Sequence, residues 1–245
     1  MNFKNLPIVT QRLIILNGLV FIFTAFIAPP LGKLFALYYF DSVSFEPYQL
    51  VSHMFTHAGI GHIFFNMFAL FMFGAPLERV WGPKKFLIFY FITGFGAVFL
   101  HQLVDFIQVR DLVSQLTPGM QGTIAGEGVA RFLSQILGQQ VQDSLHEPIQ
   151  GLLSIYNTPV VGASGAVFGV LAGFAMLFPN TELMMLFVPF PIKAKYFVLI
   201  YAGVELFLGM SRFGGDNIAH FAHLGGALFG FLLVKYWNSQ KESFN

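Results

Sequence analysis

Two side chains that can do chemistry lie inside long apolar runs of the sequence. Ser164 occurs in the segment GASG, and His223 occurs in the segment AHLGG. Polar residues are costly in helices that span a hydrocarbon layer, and they usually mark a working site there. A serine hydroxyl and an imidazole are the smallest set of groups for nucleophilic catalysis. Such chemistry requires that the helices carrying these residues be neighbours and that the two side chains lie at one depth.

The composition indicates a membrane protein. Of the 245 residues, 56% are hydrophobic and only 10% are charged, whereas soluble domains carry about 25% charged residues. The net charge of +1 gives no basic field, which argues against nucleic acid as a partner. The chain has no cysteine, which excludes disulfides and thiolate sites. Residues 1–12 are too polar and short for a cleaved signal peptide, so we expect the first apolar run to stay as an anchor.

Six apolar runs predict an all-α membrane protein with six transmembrane helices in one domain, residues 1–245. The predicted spans cover about residues 13–28, 61–75, 86–104, 160–178, 196–210 and 218–237. Nine Lys and Arg residues lie on the side that both termini share, and four lie on the other side. Because positive residues collect in the cytoplasm, we expect cytoplasmic termini, and we expect a bacterial inner membrane.

A long external insertion, residues 105–159, separates the third predicted span from the fourth. Within it, residues 126–145 are expected to form an amphipathic helix, because apolar residues recur there at helical spacing. These residues are Val129, Phe132, Leu133, Ile136 and Leu137. A surface helix lying on the membrane or on the protein is favoured over a helix that gates substrate access.

Ser164 and His223 are predicted to lie at the same depth. Each precedes the cytoplasmic end of its span, Phe178 or Trp237, by 14 residues, which is about 21 Å of helix. In a hydrocarbon core about 30 Å thick, both side chains would lie roughly 9 Å below the outer surface. The two side chains can therefore meet if their helices are neighbours.

Glycine spacing predicts that the two helices are neighbours. Span four carries glycine at every fourth position, and span six carries a pair at the same spacing: Gly165, Gly169, Gly173, Gly226 and Gly230. Small residues at four-residue spacing let helix backbones approach closely in lipid. The glycines alone indicate only packing, but close packing also brings a short serine side chain within reach of an imidazole.

The position of Ser164 suits a nucleophile. Pro159 and Gly162 precede it, so the helix is expected to begin near Ala163 and to run for about 16 residues, or about 24 Å. Its amino end would then lie inside the membrane at the floor of a cavity. The free N–H groups there would favour a developing oxyanion. The alternative is a helix-capping serine with no chemistry.

His223 is expected to act as general base, moving the proton of Ser164. The nearest acids in sequence, Asp216 and Glu205, are not expected on the His223 face, so a dyad is favoured over a triad. His62 and Asn66, four residues apart on one helical face, are candidate oxyanion donors. The alternative is that His62 and Asn66 satisfy each other inside the bundle.

Five histidines are expected on the outer side of the membrane: His53, His57, His62, His220 and His223. A zinc site needs three or four convergent ligands, often with a carboxylate. Neither an HExxH motif nor an accompanying acid is present, so a metal site is disfavoured and no cofactor is predicted. His53 and His57 are interpreted as residues that stabilise a loop.

Four segments together resemble the rhomboid family of intramembrane serine proteases. The segment GASGAVFG, residues 162–169, is similar to the family's GxSGxxxG nucleophile motif. Residues 222–226, AHLGG, resemble its AHxxG motif, and residues 62–66 resemble its HxxxN motif. Residues 78–82, ERVWG, resemble the cytoplasmic turn that follows. The four segments occur in the family's order and on the expected spans.

The resemblance implies a six-helix rhomboid-like bundle that cleaves single-pass membrane proteins within or near their transmembrane segments. Ser164 would be the nucleophile and His223 the base, and Gly162 and Gly165 belong to the nucleophile motif. His62, Asn66 and the Ser164 N–H would form the oxyanion hole, and Phe168 would stack on His223. The partners implied are the lipid bilayer and membrane-protein substrates.

One departure concerns the first external loop, where the family often has Trp-Arg and this chain has Tyr48-Gln49. Gln49 cannot supply the missing charge. Three other functions are alternatives to an active protease. They are an inactive rhomboid-like protein that binds membrane clients, an intramembrane zinc hydrolase and a small transporter. Intact Ser164 and His223 argue against the first, and the sequence shows no inverted repeat for the last.

Overall fold

The structure is a computed structural model that describes residues 5–136, 143–184, 190–211 and 219–242. These residues form twelve α-helices and one short antiparallel strand pair. The helices are α1 (Ile8–Ile22), α2 (Pro29–Phe35), α3 (Gln49–Ser52), α4 (Ile60–Ala69), α5 (Ala75–Trp81), α6 (Pro83–Ser114), α7 (Pro118–Glu127), α8 (Val129–Ile136), α9 (Asp143–Asn157), α10 (Ser164–Leu177), α11 (Ala194–Ser211) and α12 (His220–Glu242). Strands β1 (Glu182–Leu183) and β2 (Ile192–Lys193) pair before α11.

Among the described residues, three helical stretches are long and apolar enough to cross a membrane: Ile8–Ile27, Ile60–Trp81 and Pro83–Ser114. Helix α10 is a shorter apolar helix of 14 residues. Large apolar side chains point outward from the bundle, such as Phe65 on α4 and Leu199 on α11. The chain is therefore a helical, multi-pass membrane bundle. The total of six spans remains a prediction, and residue 218 at the start of the sixth lies outside the described residues.

The sequence predicted that the second span ends before Pro76, but the helix continues past this residue. A π-helical turn, Leu70–Gly74, leads directly into α5, and the helix continues to Trp81. Pro76 lies in the first turn of α5, directly after this π-helical turn, and such a local adjustment lets a membrane helix continue past a proline. The third span is also longer than expected, since α6 continues to Ser114.

Helix α10 lies at the centre of the bundle, packed against α6 and α12. It is buried over nearly its whole length. Glycine makes this position possible: a Cβ on Gly169 would lie 2.3 Å from the Thr93 side chain of α6, and a Cβ on Gly230 would lie 2.8 Å from the Gly169 carbonyl. The glycines of α10 thus leave space for close packing of α6, and the glycines of α12 leave space for close packing of α10.

Glu78 fastens the amino end of α1 to α5. Its carboxylate accepts hydrogen bonds from the N–H groups of Val9 and Thr10, at 2.9 and 2.7 Å, and from the Thr10 hydroxyl at 2.8 Å. Free N–H groups at a helix start favour an acidic partner. Glu78, which lies in the ERVWG segment, therefore has a structural role at the junction of α1 and α5.

The insertion forms a small second core with the carboxyl-terminal part of α6. Val129, Phe132 and Leu133 of α8 are buried there, so the amphipathic face packs on the protein. The predicted helix from residue 126 is interrupted at Gly128, whose φ of +84° separates α7 from α8. Leu137 and the rest of residues 137–142 lie outside the described residues.

Candidate active site

Ser164 is the first residue of α10, at the end of a loop that descends into the bundle. Gly162, two residues earlier, has a φ of +124°, a conformation that favours glycine. Its N–H donates to the carbonyl of His53 at 2.9 Å, which fastens the loop. Ala163, the residue before Ser164, has no side-chain group that could cap the helix, so no side chain at this position occupies the first N–H groups of α10.

The Ser164 hydroxyl and the His223 imidazole are in hydrogen-bond contact. Ser164 Oγ lies 2.9 Å from His223 Nε2, which is a normal length for a hydrogen bond between these atoms. The two residues are 59 positions apart in sequence and come from α10 and α12. The contact expected from their matched depth is therefore present, and the geometry allows the imidazole to accept the serine proton.

Phe168, one turn after Ser164, stacks on the His223 ring. The ring centroids are 4.2 Å apart and the planes differ by 5°. Phe168 also contacts the ring of Tyr201 on α11, with centroids 4.8 Å apart. The stack holds the plane of the imidazole on one side and agrees with what the resemblance implied.

The expectation that no acid lies on the His223 face is wrong for Glu205. Glu205 Oε2, on α11, lies 3.1 Å from His223 Nδ1 and accepts a hydrogen bond from His220 Nδ1 at 2.6 Å. The first separation is short enough for an ion pair, but Nδ1 is not aligned for a hydrogen bond. The carboxylate comes from a neighbouring helix, which the position of His223 on its own helix cannot indicate. Asp216 lies outside the described residues.

His62 and Asn66 of α4 converge on Gly162. A Cβ on Gly162 would lie 2.7 Å from His62 Nε2 and 3.6 Å from Asn66 Nδ2, so a larger residue would fill the site. Among the described residues, the buried Asn66 Nδ2 has no hydrogen-bond partner. A buried donor without a partner is costly, and such a donor beside a serine suits a charge that develops during a reaction. The proposal that His62 and Asn66 satisfy each other gains no support, since no hydrogen bond joins them within these residues.

The other histidines lie in the loop before α4. His53 is held by the Gln49 carbonyl, 2.7 Å from its Nδ1, and the His57 ring contacts the His62 ring with centroids 5.1 Å apart. Burial lowers the pKa of His53 to about 4, and burial together with the nearby His62 lowers the pKa of His57 to about 4. Both side chains are therefore neutral near pH 7, which fits packing within the loop.

Gln49 holds the loop between α2 and α4 without a charge. Its amide group donates to the carbonyls of Leu34 and Ser44, at 3.2 and 2.9 Å, and accepts from the Tyr38 N–H at 3.3 Å. The side chain is almost fully buried. Three backbone groups are satisfied by one uncharged side chain, which explains how this loop keeps its shape with glutamine at that position.

Within the described residues, no group of three or more His, Asp or Glu side chains is arranged to hold a metal ion. The zinc-hydrolase hypothesis gains no support from these residues. The chemistry that the described arrangement allows is nucleophilic attack by Ser164, with His223 accepting its proton and α4 and the start of α10 supplying donors.

The Rhomboid domain family model matches residues 44–127 and 128–239. Rhomboid protein 1, mitochondrial, of Saccharomyces cerevisiae is 28% identical over 194 residues, which are 79% of this chain and 43% of the relative. RHOMBOID-like protein 12, mitochondrial, of Arabidopsis thaliana is 27% identical over 180 residues, 74% of this chain and 43% of the relative.

Rhomboid protease AarA of Providencia stuartii is 25% identical over 246 residues, 91% of this chain and 70% of the relative. The chain spans less than half the length of the yeast and Arabidopsis relatives. The family model covers most of the sequence, including Ser164, His223 and the residues around them. The chain belongs to the rhomboid family.

Proposed function

We propose that this protein is an intramembrane serine endopeptidase with Ser164 as nucleophile and His223 as general base. The observation that carries the proposal is the 2.9 Å contact between Ser164 Oγ and His223 Nε2 inside an apolar bundle. A serine that only caps a helix has no need of an imidazole from another helix. The family and its relatives with protease names support the same reaction class.

The reaction proceeds in two steps. Ser164 Oγ attacks the scissile carbonyl carbon while His223 Nε2 takes the hydroxyl proton, and the carbonyl oxygen becomes an oxyanion. His62, Asn66 and the Ser164 N–H stabilise that oxyanion by hydrogen bonding. His223 then gives its proton to the leaving amine, which leaves an acyl-enzyme. A water molecule, deprotonated by His223, releases the acid product and restores Ser164.

The proposed substrates are single-pass membrane proteins. The serine lies at the inner end of a loop within an apolar bundle, so a peptide bond within or close to a membrane-spanning segment is the bond that can reach it. Substrate helices must unwind locally, because a helical peptide bond has its carbonyl engaged in hydrogen bonding. The lipid bilayer is the second partner, and nucleic acid is not among the proposed partners.

The proposed location is the inner membrane of a bacterium, with both termini in the cytoplasm. The excess of Lys and Arg on the terminal side supports this orientation. The residues in the described part of that side include Arg79, whose Nη2 donates to the Asn5 carbonyl at 3.2 Å. A single domain with an external insertion at residues 105–159 completes the proposed organisation.

The main alternative is an inactive rhomboid-like protein that binds membrane clients. Binding alone would place no demand on Ser164 Oγ and His223 Nε2, and their contact favours the protease. Purified protein incubated with a panel of single-pass transmembrane substrates distinguishes the two. We expect cleavage by the wild type and by Ser154→Ala, an exposed serine in α9, and no cleavage by Ser164→Ala. Cleavage that persists in Ser164→Ala would refute the proposal.

A further inference from the structure

We infer that Glu205 is a positioning residue for His223, and that His220 holds the Glu205 carboxylate in place. The inference deepens the proposed function and rests on it. Its basis is a chain of contacts that runs from Ser164 Oγ through His223 Nε2 and Nδ1 to Glu205 Oε2 and on to His220 Nδ1. The successive separations are 2.9, 3.1 and 2.6 Å.

The three ionisable side chains of this chain of contacts are buried. Glu205 is 4% exposed, His220 5% and His223 9%. A buried carboxylate is costly unless polar partners surround it. In this structure both partners come from α12, three residues apart and one helical turn from each other, so one carboxylate oxygen of α11 reaches both imidazoles.

The proposed transfer of the Ser164 proton to His223 determines which ring nitrogen of His223 carries the hydrogen. To accept the hydroxyl proton, His223 Nε2 must carry no hydrogen, and the neutral ring then carries its hydrogen on Nδ1. A carboxylate oxygen 3.1 Å from Nδ1 favours that tautomer. When Nε2 takes the serine proton, the ring becomes positively charged and the same carboxylate stabilises it.

The alignment at Nδ1 is not that of a hydrogen bond in this structure. Catalytic hydrogen bonds are often poorly aligned without substrate and tighten when substrate binds. Rotation of the carboxylate toward His223 is limited by His220, whose Nδ1 donates to the same oxygen at 2.6 Å. His220 therefore sets the position from which Glu205 acts.

A purely structural role for the cluster makes a different prediction. If Glu205 only joined α11 to α12 through His220, its loss would lower the thermal stability of the protein. The tautomer of His223 would then be unchanged, and so would kcat in the folded fraction. The two roles are therefore separated by measurements on His223 itself rather than by activity alone.

The test uses the 245-residue protein in detergent, labelled with nitrogen-15 in histidine, and the variants Glu205→Gln and Glu205→Asp. The His223 signals are identified by their loss in His223→Ala. We expect hydrogen on Nδ1 in the wild type and a shift toward the other tautomer in Glu205→Gln. Hydrogen on Nε2 in the wild type would overturn the inference whether or not the variants fold.

Kinetics on a cleaved transmembrane substrate supply the second readout. We expect kcat of Glu205→Gln to fall by at least roughly 10- to 100-fold at unchanged KM, the size typical of losing a partner that orients a functional histidine. Glu205→Asp keeps the negative charge on a shorter side chain, so its kcat should lie between that of the wild type and that of Glu205→Gln. Wild-type kcat and an unchanged His223 tautomer in Glu205→Gln would overturn the inference.

Glu78→Gln is the matched control, because it makes the same change at another buried carboxylate, one whose partners are on α1. It should lower thermal stability and leave the His223 signals and kcat of the folded protein as in the wild type. Failure of the proposed function gives a separate result, in which wild-type protein cleaves no substrate in a Ser164-dependent way. The tautomer measurement tests the inference about Glu205 independently of that result.

Discussion

Gly226 of α12 lies directly against the backbone of Gly165 of α10, the residue that follows Ser164. A Cβ on Gly226 would lie 1.8 Å from the Gly165 carbonyl oxygen, a distance at which backbone must move. This approach places His223, one turn earlier in α12, beside the start of α10. Packing of two glycines and the contact between a hydroxyl and an imidazole are thus two consequences of one helix pairing.

Gly226→Ala should therefore destabilise the bundle strongly. Alanine normally stabilises a helix relative to glycine, by up to about 1 kcal/mol, but here its methyl group meets backbone that has no space to give. We expect a net loss of about 3 kcal/mol or more, the upper end for overpacking, measured by thermal unfolding in detergent.

Gly203→Ala in α11 is the control for Gly226→Ala. A Cβ at Gly203 would meet nothing within 4 Å, so this variant should unfold at or above the wild-type temperature. If Gly226→Ala and Gly203→Ala unfold at the same temperature, α10 and α12 do not approach each other as described.

His62→Ala and Asn66→Ala should each slow cleavage. Both side chains converge on Gly162 beside Ser164, and the buried Asn66 amide has a donor without a partner among the described residues. Loss of one oxyanion donor costs roughly 10²- to 10³-fold in kcat. Phe65→Leu, at an exposed position on the same helix, should cleave at the wild-type rate. Full activity in both alanine variants would remove α4 from the site.

Gln49→Leu should loosen the loop between α2 and α4. The substitution leaves three backbone groups, at Leu34, Tyr38 and Ser44, without their partner, and each buried group left unsatisfied costs about 1–3 kcal/mol. We expect a lower unfolding temperature and faster proteolysis in residues 34–49. Tyr48→Phe, at the exposed neighbouring position, should match the wild type, and equal protease sensitivity of the two variants would contradict this role of Gln49.

Acid should destabilise the loop before α4. The pKa of His53 and of His57 is about 4 in the folded protein and 6.5 in its ordinary state. Between these values the unfolded chain binds protons that the folded chain does not, so stability falls as pH falls from 6.5 to 4. The loss is on the order of 3 kcal/mol for each residue over the full window.

The variant that tests this pH dependence is His57→Phe, which keeps a ring but cannot bind a proton. Unfolding temperatures at pH 7 and pH 5 should differ less in this variant than in the wild type, because only His53 still contributes. A drop of equal size in both proteins would show that His57 is not buried in its neutral form.

The sequence predicted the contact between Ser164 and His223 because helix length converts position into depth. It predicted the approach of α12 to α10 because small residues at four-residue spacing have few other uses in lipid. It did not predict that α6 also packs closely against Gly165 and Gly169 of α10, since glycine spacing on one helix does not identify the neighbouring helix.

Two features escaped the sequence for physical reasons. The helix of the second span continues past Pro76 because a π-helical turn precedes the proline, and hydropathy does not reveal such a turn. Glu205 was placed away from His223 because its partners lie on another helix. One signal in the sequence could have identified Glu205. A carboxylate within the apolar run of residues 196–210 is energetically costly unless it has a polar partner. His220 and His223, on the next span, are histidines that could serve as that partner.

The most direct test of the central claim is mass mapping of the site at which a fluorophosphonate reacts with the protein. Such probes form a covalent bond with a serine that a neighbouring base activates. We predict one adduct in the wild type, on the peptide that contains Ser164, and loss of that adduct in His223→Ala with the fold retained. An adduct on another serine, or undiminished labelling of Ser164 in His223→Ala, would contradict the account.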